Sequence, residues 1–216
     1  MHKHARALLF ANGQLPESQW LPGYLQPEDY LVAVDGGYTH LKAIGRRPHL
    51  LIGDLDSIDP HDLIVLEKDG VEVLRFPSHK DQTDLELALT TICERGYAII
   101  RVVAAFGGRL DQTLANAFLL DDPALESVDL RCEDGETEAF LIRSTGVIHG
   151  RPGDLVSLLP VGMPAEGVTT HQLAYPLYAE TLYPYRSRGV SNVMESDQAE
   201  VSITGGKLLC LHLRRF

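Results

Sequence analysis

Apolar residues in the first part of the chain come in short runs, and each run breaks off in glycine, acid or another turn former. ARALLFANG (5–13), YLVAVDGG (30–37), PHLLIGDLDS (48–57), VEVLRF (71–76) and YAIIRVVAAFGG (97–108) are aliphatic and β-branched stretches of strand length. SVDLRCED (127–134) is a weaker sixth candidate. Between the runs the period lengthens. YTHLKAIG (38–45) reads as a short helix stopped by Gly45, and in LELALTTICERG (85–96) Leu85, Leu89 and Ile92 fall at i, i+4 and i+7 with Gly96 just past the end. QTLANAFLL (112–120) supplies a further helix. Strands alternating with helices predict a parallel sheet covered on both faces, with ligands bound beyond the carboxyl ends of the strands. The unusual loops fall at such ends: residues 35–37, 53–56, 80–84 and 107–111.

The pattern changes near residue 135. TEAFLIR, GVIHG, DLVSLLPV, EGVTTHQLAY and QAEVSITGGKLLCLHLR are short strands separated by turn residues, without a convincing helix. Gly205 and Gly206 lie between two apolar runs and predict a hairpin. The expected fold is therefore α/β: an N-terminal Rossmann-like parallel-sheet domain over residues 1–134, then a C-terminal all-β sandwich domain over 135–216.

Composition narrows the partners. The 216 residues are 44% hydrophobic, enough for a substantial core, and carry 30 acidic against 19 basic side chains for a net charge of −11. Such a balance argues against nucleic acid or an anionic membrane, which need a basic face. It leaves room for a phosphorylated small molecule held by metal and a few local cations. No apolar run approaches the ~20 residues of a membrane helix. The opening MHKHARALLFANG has no signal-peptide pattern, so a cytoplasmic protein is expected. Cys93, Cys132 and Cys210 are scattered in apolar surroundings and read as reduced, buried thiols. His2, His4, His40, His49, His61, His79, His149 and His171 show no metal-ligand spacing and read mostly as solvated or capping groups. Trp20 and Tyr24 read as core or interface.

The chemistry concentrates in the strand-end loops. On an extended segment Asp54 and Asp56 point the same way and can converge on one hard cation such as magnesium, with Leu55 turned inward. The bland alternative is a turn or a helix cap at Asp56 and Ser57. In HKDQTDLELAL, Thr83 and Glu86 form a capping box, which leaves Lys80, Asp81 and Asp84 as excess charge. Lys80 can meet a phosphate, and Asp84 can complete the ligand set begun by Asp54 and Asp56. FGGRLDQTLAN joins a glycine pair and Arg109 to a helix start, where backbone N–H groups and a guanidinium can hold an anion. Asp111 can equally be the N-cap there.

Together these loops resemble the thiamine pyrophosphokinase family. The matching stretches, in the family's order, are VAVDGG (32–37), LIGDLDSI (51–58), KDQTDLELAL (80–89), GGRLDQTLAN (107–116), YPL (175–177) and SRGVSN (187–192). The resemblance implies transfer of the β,γ-pyrophosphoryl group of ATP to the hydroxyethyl oxygen of thiamine, releasing AMP. It also implies a homodimer with sites shared between subunits. By the same match Asp54, Asp56 and Asp84 are magnesium-binding aspartates. Lys80 and Arg109 face phosphate, as part of an ATP and substrate set with Asp35, Asp81 and Gln112, and Ser191 and Asn192 lie on the thiamine side. Asp111 joins the three metal-binding aspartates in the catalytic set. The sequence departs from the pattern at Gln112, where many bacterial relatives have histidine, at HQLA before Tyr175, and at SNVME, which lacks an acid next to the asparagine. Readings to separate from this one are pyrophosphoryl transfer to a hydroxymethylpterin, metal-dependent phosphohydrolysis, and a non-catalytic nucleotide- or thiamine-binding module.

Overall fold

Residues 6–15 and 18–215 are described by the computed structural model; His2 and His4 lie outside them. The chain divides into two units, Met1–Gly135 and Glu136–Phe216. In the first, the apolar runs form β1 (Arg6–Phe10), β2 (Tyr30–Val34), β3 (Leu50–Gly53), β4 (Glu72–Arg75), β5 (Ile99–Val103) and β6 (Asp129–Glu133). Their order is β6-β5-β1-β2-β3-β4, and every pairing is parallel. The sequence of strands therefore reverses beside β1, with β2 on one side and β5 on the other. In open α/β sheets a ligand crevice opens at such a reversal.

Helices α1 (Leu21–Tyr24), α2 (Tyr38–Ala43), α3 (Pro60–Lys68), α4 (Asp84–Glu94) and α5 (Leu110–Leu119) fill the connections. α4 starts as its sequence predicts: the Thr83 hydroxyl accepts the Glu86 N–H at 3.2 Å. Only half of the capping box forms, because the Glu86 carboxylate accepts from Gln82 Nε2 instead. The helix buries Leu85, Leu89 and Ile92. α1 and α3 were not expected. α3 is set by its start, where Asp59 accepts the His61 N–H at 2.8 Å and Pro60 begins the helix. Its apolar stripe is weak, with only Leu66 buried and Ile64 63% exposed.

Among its described residues the second unit contains no helix and carries β7 (Thr137–Ile142), β8 (Thr145–His149), β9 (Leu155–Pro160), β10 (Ala165–His171), β11 (Glu180–Leu182), β12 (Asn192–Val193), β13 (Gln198–Ser202) and β14 (Leu208–Leu213). Its strands run antiparallel in the orders β12-β9-β14-β7 and β11-β10-β13-β8. Phe140, Val156, Leu158 and Leu208 from the first set meet Ile148, Val168, Leu182 and Val201 from the second in one buried cluster. The hairpin expected at Gly205 and Gly206 is not there. β13 pairs with β8 and β10, whereas β14 pairs with β7 and β9, so the glycines carry the chain from one sheet to the other. Gly206 is needed for close approach: a Cβ there would stand 2.3 Å from the Pro164 carbonyl oxygen.

Among the described residues no helix is long and apolar enough to cross a membrane. None of the three cysteines is in a disulfide; Cys132 and Cys210 are buried as expected, but Cys93 is half-buried. Burial, with help from Glu133 and Asp134, pushes the Cys132 thiol up to about 12. Trp20 stacks edge-on to Tyr24 against the apolar core of the first unit. Most of the histidines are solvated, as expected: His49, His61, His79, His149 and His171 are exposed, and His40 is half-buried. His49 stacks on Tyr30 and accepts the Leu31 N–H at Nδ1.

His212, on β14, has no exposed side-chain surface. Its Nε2 stands 3.0 Å from Asp154 Oδ2, and its Nδ1 stands 3.6 Å from Glu138 Oε2. Asp154 also accepts the N–H groups of Arg151 and Arg215, and Arg214 approaches Glu138. Burial works against a charged His212, but the two carboxylates outweigh it and raise its pKa above the ordinary 6.5. A folded-state pKa above the unfolded value means stability that is complete below 6.5 and lost as pH rises through the raised value. The margin in Tm of the native protein over His212→Gln should therefore shrink as pH rises above about 6.5, in a thermal-melt series compared pH by pH. A margin that stays flat or grows across that range would contradict the assignment.

Candidate functional site

A cavity of about 410 Å³ opens at the strand reversal. Its walls come from the residues after β1 (Asn12, Gly13, Gln14), from Asp35 after β2, from Thr83 and Asp84 at the start of α4, and from the loop between β5 and α5. Close backbone contacts set these walls. The Gly13 N–H donates to Ala104 O and the Gln14 N–H to Phe106 O, both at 2.9 Å. A Cβ on Gly13 would lie 2.3 Å from Ala104 O. The Asn12 side chain packs over Gly36, which has no room for a Cβ there. His40, on α2, sits 3.1 Å from Gly13 O through Nε2. Burial lowers the pKa of this imidazole, so it is neutral and donates to that carbonyl.

Three carboxylates converge beside the cavity. One oxygen from each of Asp35, Asp54 and Asp84 lies within 4.8 Å of the others, an arrangement able to hold a metal ion. Asp35 adopts a left-handed conformation (φ 45°) at the end of β2, and Gly53 (φ 148°) lets the next strand end close against it. A Cβ on Gly53 would stand 3.0 Å from that of Asp35. Asp35 Oδ1 is buried with no hydrogen-bond partner. The Asp54 carboxyl is held below its usual range, first by the Asp56 N–H at 3.2 Å and then by Ser78 and Lys80. Lys80 Nζ forms an ion pair with Asp84 Oδ1 at 2.8 Å and donates to Pro77 O.

Asp56 is not in this group. The convergence of Asp54 and Asp56 required an extended segment, but β3 ends at Gly53 and Leu55 is left-handed (φ 65°). That turn buries Leu55, as expected, and sends the Asp56 carboxylate outward to accept from Ser57 Oγ. Asp35, two loops away, stands in its place. Asp81 is exposed and does not line the cavity.

On the opposite wall Gly107 (φ 86°) and Gly108 (φ 72°) precede Arg109, which is the N-cap residue of α5. Asp111 is thus not the cap. Its carboxylate pairs with Arg109 in two hydrogen bonds and accepts the Gln112 N–H. The hydrogen bonds from Arg109 and Gln112 keep the Asp111 carboxyl below its usual range. Arg109 and Gln112 line the cavity.

The second unit has its own cavity, also about 410 Å³, lined by Tyr175, Leu177 and residues 187–192. Asn192 is 96% buried, and its side chain is consumed locally: Oδ1 accepts from the Tyr175 and Val193 N–H groups, and Nδ2 donates to Tyr175 O. Ser191 is left-handed (φ 59°), with its N–H on Ser157 Oγ. Tyr175, 61% exposed, is the aromatic group that this bracing presents.

A family model for the catalytic domain of thiamin pyrophosphokinase matches residues 21–131, and one for its vitamin B1 binding domain matches residues 146–208. The chain belongs to the thiamin pyrophosphokinase family. A thiamine pyrophosphokinase of Bacillus subtilis is 28% identical over 159 residues, 73% of this chain and 74% of that protein. The crystal structure of thiamine pyrophosphokinase from Bacillus subtilis superposes with a TM-score of 0.87 at 25% identity, covering 98% of this chain and all (100%) of that one. A thiamin pyrophosphokinase family protein from Enterococcus faecalis shares the fold, with a TM-score of 0.80 at 22% identity over 98% of this chain and 99% of its own. The thiamin pyrophosphokinase catalytic match contains the whole acidic group, Lys80, Arg109 and Gln112, and the vitamin B1 match contains Tyr175, Ser191 and Asn192.

Asn12, Gln14, Thr83 and Asn116 also line the first cavity but were not picked out as site residues from the sequence. The signal available was the Asn-Gly pair closing β1, which matched the other strand-end loops. Gly13→Ala should destabilise the protein by about 2–3 kcal/mol in urea unfolding, because its Cβ would strike backbone carbonyls that cannot swing away. Unchanged stability would mean that the β1 loop is not locked against Ala104 and Phe106.

Proposed function

We propose that the protein transfers the β,γ-pyrophosphoryl group of ATP to the hydroxyethyl oxygen of thiamine, giving thiamine pyrophosphate and AMP. The observation that carries this is the convergence of Asp35, Asp54 and Asp84 at a strand-end cavity walled opposite by two glycines and Arg109. The donor set fits magnesium, since all three ligands are hard oxygens and Asp35 Oδ1 is buried without a partner. Asp35, Asp54 and Asp84 would hold the ion, with the Asp56 N–H orienting Asp54. When bound, the ion neutralises charge on the phosphate oxygens.

The chain's own groups do the positioning on which such transfer mostly rests. Gly107 and Gly108 let backbone approach the phosphates, and Arg109 exchanges its pairing with Asp111 for them. Asp111, with its carboxyl held low, serves as counter-ion and is a weak base. Lys80 balances Asp84 and stands ready for the transferred group. The neutral His40 fixes the β1 wall. In the second unit Asn192 braces Tyr175, and with Ser191 they form the thiamine side.

The same reading takes the first unit as a Rossmann-like donor domain and the second as a β-sandwich acceptor domain, in a cytoplasmic homodimer whose sites are shared between subunits. With magnesium, ATP and thiamine, thiamine pyrophosphate and AMP should form in equal amounts. ADP with thiamine monophosphate, AMP release without thiamine, or preference for a hydroxymethylpterin would overturn the assignment.

A second expectation concerns the acidic group. Asp35→Asn should lower kcat/KM by at least about 100-fold, or about 2.7 kcal/mol. Without metal its Tm should rise, because repulsion among three close carboxylates is relieved. Added magnesium should then stabilise the variant less than the native protein. A destabilised Asp35→Asn protein with native turnover per folded molecule would make Asp35 structural.

A further inference from the structure

We infer that Asn116 is a positioning residue for the nucleotide: it locks the loop between β5 and α5, and through that loop the phosphate-facing backbone and Arg109. The inference rests on the donor-site reading above and adds to it a residue that neither touches the acidic group nor pairs with Arg109.

Three successive carbonyls of that loop are captured one by one. Ala104, left-handed at φ 56°, gives its oxygen to the Gly13 N–H, and Phe106 gives its oxygen to the Gln14 N–H. The oxygen between them, on Ala105, accepts from Asn116 Nδ2 at 2.7 Å. The outer two bonds tie the loop to β1. The middle one ties it to the second turn of α5, the helix the loop leads into. Downstream of this anchor lie Gly107 and Gly108, both left-handed, whose backbone is otherwise free to swing.

The tie matters because packing within the chain holds α5 only weakly. None of its residues is buried, and Leu110, Leu114 and Phe118, at i, i+4 and i+8, are 70%, 47% and 63% exposed. A helix without a buried face takes its position from its ends and its polar contacts. Asn116 lies on the cavity-facing side with Gln112, one turn away, so the bond that fixes the helix also fixes the wall. Losing it should leave the fold standing and let Gly107, Gly108 and Arg109 drift from the geometry the phosphates need. Small misplacements of this sort are costly in transfer reactions.

The test uses the full-length protein, with magnesium–ATP binding by calorimetry and steady-state kinetics for both substrates. Asn116→Leu keeps the volume and removes the donor. It should weaken magnesium–ATP binding and raise KM for ATP by about tenfold. KM for thiamine should stay within about twofold and Tm within a few degrees, a split that general destabilisation would not give. Asn116→Asp supplies the second arm. As a carboxylate it repels Ala105 O, but once protonated it can donate, so its ATP affinity relative to the native protein should recover as pH falls from about 6 to about 4. Native ATP affinity in Asn116→Leu would overturn the inference, as would parallel losses for both substrates with a falling Tm. If Asn116→Leu does not fold, a pH-independent ratio for Asn116→Asp overturns it. Failure of the native protein to bind magnesium–ATP would fault the donor-site reading instead.

Discussion

Parallel pairing of β1 on both sides is the constraint from which the rest of the first unit follows. With β2 on one flank and β5 on the other, the connections leaving those strands must turn away from each other. A gap opens where they part, and backbone from β1 itself has to line it. This explains why close contacts crowd there: Gly37 against Phe10 O, Gly13 against Ala104 O, and the Asn12 side chain over Gly36. It also explains why the left-handed residues Asp35, Leu55 and Ala104 each follow a strand by no more than two positions. A site is assembled at the reversal because chain from several strands must end there at once.

The acidic group shows how little room this leaves for alternatives. Asp35 and Asp54 belong to neighbouring strand ends, and only a glycine at position 53 lets the two ends close up. Asp84 arrives from the first turn of α4, where a carboxylate also suits the helix dipole. Lys80 offsets part of the repulsion by pairing with Asp84. The cluster is thus a compromise between charges that repel and backbone geometry that leaves them nowhere else to go.

Much of this was legible in the sequence where the signal was local. The strands of the first unit, the Thr83 cap, Gly45 and Gly96 as helix stops, and the strand-end loops all depend on residues within a few positions of one another. What was misread depended on distant partners. Gly205 and Gly206 resemble hairpin residues because a glycine demanded by the approach of Pro164, as at position 206, looks the same in sequence as one demanded by a turn. Strand periodicity points Asp54 and Asp56 the same way, and the left-handed Leu55 between them departs from that periodicity. α3 escaped notice because its apolar residues are largely exposed, so the weak period reflects a real lack of burial. The bracing role of Asn192, whose amide is spent on the backbone of Tyr175 and Val193, is likewise invisible in sequence.

The cysteines carry a practical consequence. Cys132 is buried and its thiol is pushed up to about 12, and Cys210 is fully enclosed on β14, so neither is open to a reagent. Cys93 is the accessible one, with its sulfur donating weakly to Ala124 O at the last turn of α4. The opposite end of that helix carries Asp84, about 13 Å away at the rise of an α-helix. A maleimide dye would therefore mark this chain at one point, on the rod whose far end reaches into the acidic group.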